Sequence, residues 1–99
     1  MAIVEDVQAR LDGYRTNKHR ARRLRELRRL ADQRGGYVLL EHAIEAAVLM
    51  LRLSVGKTVT AKEMSDNMQA GAMSGEFRMH VEIDGEHIPV PSEAFKKPH

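Results

Sequence analysis

The sequence predicts a small α+β domain: a basic N-terminal helical region, a central apolar helix, a short third helix and a C-terminal β-hairpin. Three observations carry this prediction. Apolar residues recur at helical spacing up to about Ala70, and glycines at Gly35-Gly36, Gly56 and Gly71 to Gly75 follow the helix-like stretches, where a left-handed C-cap would place them. From Phe77 to Ile83, apolar residues alternate with Arg78, His80 and Glu82, the period of a half-buried strand. Asp84-Gly85 then supplies the two-residue turn that matches strand twist.

Ninety-nine residues fit one domain, 1–99, with a single modest core. Within it the helical region covers 1–34, the central helix 37–54, the short helix 60–71 and the hairpin 76–91. Hydrophobic content of 42% with 30% charged residues is that of a globular chain. Only Tyr14, Tyr37, Phe77 and Phe95 are aromatic, so Leu, Val, Ile, Ala and Met must build the core.

The first region holds two apolar seams that do not line up. Val4, Val7, Leu11 and Tyr14 form one stripe at helical spacing. Continued along a straight helix, that line meets Lys18, Arg22, Arg25 and Arg29, while Leu24, Leu27 and Ala31 form a second seam on roughly the opposite side. Either the helix runs through and swaps packing partners, or, the favoured reading, it breaks or kinks near Gly13, with Arg15-Thr16-Asn17 as connector and Asn17 as the N-cap.

The central helix is apolar over most of its circumference, which predicts contacts on several sides. In so short a chain, a second copy of the protein is the expected source of one of those contacts, giving a homodimer through this helix. Thr60-Ala61-Lys62-Glu63 has the capping-box pattern and starts the short helix, on which Met64 and Met68 are adaptable packing groups. The hairpin turn pairs Val81 with Ile88 and Met79 with Val90, with Pro89 opposite His80 marking an edge strand. Phe77, Met79, Val81 and Ile88 are expected to face the helices.

Charge is the strongest functional signal. Between Arg15 and Arg34 lie nine Lys/Arg against Glu26 and Asp32, a charge of +7, and the remainder of the chain carries −5 behind the overall +2. Arg15, Lys18, Arg22, Arg25 and Arg29 project as one cationic stripe flanked by Arg20, Arg23 and Arg28. Such a row suits a phosphate backbone. The expected function is therefore a small nucleic-acid-binding or regulatory protein that contacts phosphates through these eight residues. No aromatic residue lies in the stripe for stacking on unpaired bases. The alternative is an adaptor, inhibitor or assembly factor that docks on an acidic protein, or presents its acidic hairpin (Glu82, Asp84, Glu86), without nucleic-acid contact. The first reading requires the arginine ridge to stay open to solvent, not clasped by carboxylates of its own fold.

Other chemistry has little support. With no cysteine there is no disulfide, thiolate metal site or cysteine nucleophile. The hairpin register brings His80, Glu82 and His87 to one face, a set that could hold a divalent metal but equally forms an ordinary wet sheet face. No metal or cofactor is assigned. His42, near Glu41 and Glu45, lacks the His-Glu-x-x-His arrangement and is read as a core-edge histidine. Gly56-Lys57-Thr58 resembles the end of a phosphate loop, but Leu51 stands where the earlier glycine is required. No enzymatic activity is expected. The segment Tyr37 to Val55 is too polar for a membrane span, and Met1 to Asp6 lacks the features of a signal peptide. A cytoplasmic location is the expectation.

Overall fold

The computed structural model describes residues 2–72, 80–83 and 86–89, and several of its helix ends are set by a specific side chain or glycine. The first, α1 (Ala2–Gly13), buries Val7 and Leu11 and ends at its glycine. The second, α2 (Asn17–Gln33), begins after a short connector. Its N-cap is Thr16, not Asn17: the Thr16 hydroxyl accepts from the His19 N–H at 3.1 Å, and the residue is extended at φ −127°. Asn17 is instead the first helical residue, and its Oδ1 accepts from Arg20 Nη1 at 2.7 Å.

The end of α2 is a Schellman motif. Gly36 N–H donates to the Ala31 carbonyl at 2.9 Å and Gly35 N–H to the Asp32 carbonyl at 3.2 Å, with Gly35 at φ +84°. Nothing lies within 4 Å of a Cβ placed on Gly35, so a substitution there meets backbone strain alone. Gly35→Ala is expected to lower stability by about 1 kcal/mol in urea unfolding.

The third helix, α3 (Leu40–Ser54), starts three residues later than the sequence suggests. Tyr37 to Leu39 are not helical, and Val38 enters the core from this connection at 1% exposure. The chain leaves α3 through Gly56 at φ +66°. The fourth helix, α4 (Ala61–Ala72), is capped by Thr60, whose hydroxyl accepts from the Glu63 N–H at 3.1 Å and donates to Glu63 Oε1 at 3.3 Å. Its first N–H, on Ala61, is taken by Gln8 Oε1 of α1 at 2.8 Å, so the two helices are joined by a polar contact as well as by packing.

The core is aliphatic. Leu11, Leu27, Ile44 and Leu49 are fully buried, and each contributes about 1.5–3 kcal/mol by leaving water. Leu24, Leu27 and Ala31 are the buried seam of α2, and Met68 joins the core with Met64 packed against it.

The α+β class expected from the sequence is corrected: among the described residues the fold is a small helical domain of four helices. Its extended segments, β1 (His80–Ile83) and β2 (Glu86–Pro89), are four residues each and pair antiparallel only with one another. A two-stranded ribbon that short is marginal by itself and forms no layer on which helices could stack. Among the described residues it gives the core one side chain, Ile83. Phe77, Met79, the Asp84-Gly85 turn and the side chains of Val81 and Ile88 lie outside the described residues.

The central helix α3 has neighbours on several sides, as its apolar circumference predicts. It touches α1, α2, α4 and β1 of its own chain. Among the described residues, the large hydrophobic side chains left exposed are Ile3, Tyr37 and Val55, none of them on α3. No helix among the described residues is long and apolar enough to cross a membrane.

Candidate nucleic-acid interface

The basic residues of α2 divide into an outer row and an inner group. At 3.6 residues per turn, Lys18, Arg22, Arg25 and Arg29 fall within about 60° of the helix circumference, opposite the Leu24–Leu27–Ala31 seam. All four are exposed. Arg15 is exposed too, but it precedes the N-cap and so belongs to the connector, not to the helical stripe. Among the described residues, none of these five side chains has a hydrogen bond or ion pair. They form an open cationic row about 16 Å long from Lys18 to Arg29.

Arg20, Arg23 and Arg28, placed beside the stripe by the sequence, are drawn into the fold. Each stands one turn from a seam leucine and is half-buried. Arg20 is tied to Asn17 through Nη1. Arg28 pairs with Asp32 one turn on. Arg23 has the most distant partner: its Nε donates to Glu45 Oε2 on α3 at 2.5 Å and its Nη2 to Glu45 Oε1 at 3.3 Å, while Nη1 pairs with Glu26.

Glu45 is the centre of this inner group, and the sequence reading did not single it out. It is 0% exposed. Besides Arg23 it accepts from Arg10 Nε of α1 at 2.8 Å and from the Tyr14 hydroxyl at 2.8 Å, so it ties α1, the connector and α2 to α3. Arg10 also approaches Glu41, with Nη2 3.6 Å from Oε2. The available signal was that Glu45 is the one polar residue between Ala43 and Leu51. A carboxylate in so apolar a run must find cations or lose its charge.

The electrostatics follow from this geometry. Burial alone would raise the Glu45 pKa, but hydrogen bonds from Arg23, Arg10 and Tyr14 outweigh it and hold the carboxyl below its ordinary value. Burial and then the hydrogen bond to Glu45 push the Tyr14 phenol up to about 12. The stability this raised value contributes is fully present below pH 10 and is lost as pH rises through about 12. Tyr14→Phe removes one donor from a carboxylate that keeps two arginines, so it should cost about 1.5 kcal/mol in urea unfolding and flatten the alkaline loss of stability. His42 is half-buried, and burial keeps its pKa below the ordinary value, so it is neutral at pH 7.

Among the described residues, no group of three His, Asp or Glu is gathered to hold a metal ion. The backbone register sets Glu82 opposite His87 and His80 opposite Pro89, and the side chains of His80, Glu82 and His87 are outside the described residues. Gly56, Lys57 and Thr58 form no phosphate loop: they are the exposed exit from α3, with Lys57 N–H donating to the Leu51 carbonyl at 3.3 Å. The chain matches no family model, no curated protein and no solved structure.

Proposed function

We propose that this protein binds nucleic acid, as a small binding or regulatory protein of the cytoplasm, through the open row Arg15, Lys18, Arg22, Arg25 and Arg29. One observation carries the reading: four exposed cations share one face of α2, with exposed Arg15 on the connector before it, while among the described residues no carboxylate of the fold neutralises them. Arg10, Arg23 and Arg28 each pair with a carboxylate of the fold, whereas the outer row is left to solvent anions. Like charges so arranged are relieved by a partner with regularly spaced negative charge, and a nucleic-acid backbone has that form.

The site favours a duplex over unpaired bases. Neither described tyrosine belongs to the row: Tyr14 is engaged with Glu45, and Tyr37 lies beyond the far end of α2. The binding would thus read phosphates and not stack on bases. Titration of the protein with generic duplex DNA and duplex RNA across a salt series tests the reading. Affinity should fall steeply with salt, and reversing Arg22, Arg25 and Arg29 to glutamate should abolish it. Binding that stays weaker than micromolar at low salt and ignores these changes would point to the adaptor reading, with an acidic protein as partner.

A further inference from the structure

A second cluster of arginines, which shares only Arg15 with the outer row, gathers in a cleft of about 580 Å³ where the connector between α1 and α2 meets the last turn of α3. Arg15 enters it from the connector, Arg20 from the first turn of α2 and Arg52 from α3; Asn17 and Thr58 add polar groups, and Asp12 is the one acid. Three arginines against one aspartate leave the lining at +2. Among the described residues none of the three arginines forms an ion pair with a carboxylate. The exposed carboxylate of Asp12 accepts from Gln8 Nε2 at 2.8 Å on its own helix.

Two of these guanidinium groups are held in place by the fold. Arg20 Nη1 donates to Asn17 Oδ1 at 2.7 Å, and Arg52 Nη1 reaches the Leu11 carbonyl at 3.4 Å. Yet Arg20 Nε and Arg52 Nε are both buried without an acceptor in the fold. A buried, unsatisfied N–H on a charged group is costly, so two of the cleft-lining arginines each keep a donor that the fold does not use; Arg10 Nη2, outside the cleft, is a third such atom. The N-terminus of α2 adds to the same potential: the helix is 17 residues long, has no acid in its first turn, and begins at Asn17 in the cleft lining.

We propose that this cleft binds a phosphate monoester through Arg15, Arg20 and Arg52. A phosphate dianion matches the lining charge, and guanidinium forks suit its oxygens. The volume exceeds that of the ion and lies within the roughly 300–1,000 Å³ range of small-molecule pockets, leaving room for the esterified group. The phosphate could come from a small phosphorylated metabolite or from the end of a nucleic-acid strand. Arg15 is shared with the open row, whereas Arg20 and Arg52 are outside it, so the Arg52 variant separates this cleft from the duplex-binding reading.

Calorimetric titration of the full chain with inorganic phosphate at low salt provides the test. Saturable binding is expected, at least tenfold weaker in Arg52→Gln and in Arg15→Gln, and unchanged in Lys62→Gln on the exposed face of α4. Arg15 is exposed and unpaired, so its variant keeps the test decisive should the Arg52 variant unfold. Two further probes separate the sources. If the strand end is the ligand, a 5′-phosphorylated oligonucleotide binds at least tenfold tighter than its 5′-hydroxyl twin, and Arg52→Gln erases the difference. If a small ester is the ligand, ribose 5-phosphate binds while the two oligonucleotides are equal. No saturable binding of inorganic phosphate, or equal binding by the native chain and Arg15→Gln, overturns the proposal whatever the duplex titrations give.

Discussion

Glu45→Ala should lower the unfolding free energy by about 3–5 kcal/mol, the largest effect of any single polar substitution in this chain. The side chain is fully buried and accepts from Arg23, Arg10 and Tyr14, which reach it from α2, α1 and the connector. Truncation leaves two guanidinium groups facing each other across the gap, with the tyrosine hydroxyl unpaired. Arg10 is about a third exposed and can recover some hydration, whereas Arg23 is more deeply held, which places the loss toward the lower end of the range. Domains of this kind have only about 5–15 kcal/mol in hand, so the variant should be near the edge of folding. Urea unfolding followed by circular dichroism measures the loss, and a change under 1 kcal/mol would mean that Glu45 is not the hub of the fold.

The same residue sets the acid limb of stability. Its pKa is depressed in the folded chain relative to the unfolded one, so its contribution is complete above the ordinary value of 4.5 and is lost as pH falls through the folded value. Glu45→Gln should therefore be less stable than the native chain at pH 7 and should lose less on acidification. Urea midpoints of the two proteins that draw together as pH falls below 4.5 are the expected sign; parallel curves would show that the carboxylate is not held by its arginines.

Local patterns were legible, and long-range pairing was not. Leu24, Leu27 and Ala31 stand at helical spacing among charges, and they are buried as that spacing requires. The alternation from Phe77 to Ile83 is a local signal, seen as extended backbone over His80–Ile83, but it cannot tell a sheet layer from a short ribbon, and the α+β class failed on that distinction. The basic residues show the same limit. Arg22 and Arg23 are adjacent in sequence, yet one is exposed and the other is clasped by a carboxylate 22 residues away. Position relative to the seam carried part of this, since Arg20, Arg23 and Arg28 each lie one turn from a buried leucine. The rest depended on Glu45, whose role emerges only when α1 and α2 close on α3.

That division between inner and outer arginines fixes what the outer row should do in solution. If Arg15, Lys18, Arg22, Arg25 and Arg29 each neutralise one phosphate, the slope of log affinity against log salt should be about −4.5 for a duplex. Raising salt from 50 to 200 mM would then weaken binding about 500-fold. Reversing Arg22, Arg25 and Arg29 to glutamate removes three contacts and sets three like charges against the backbone, so binding should vanish at any salt in that range. Stability should hold within about 0.5 kcal/mol for each of these sites, because the three side chains are exposed and unpaired among the described residues. Arg23→Gln makes the opposite prediction: it weakens the grip on Glu45 and lowers stability while leaving the salt slope intact. A slope that drops by about one in the Arg23 variant, or one untouched by the triple reversal, would show that the phosphates are met elsewhere on the surface.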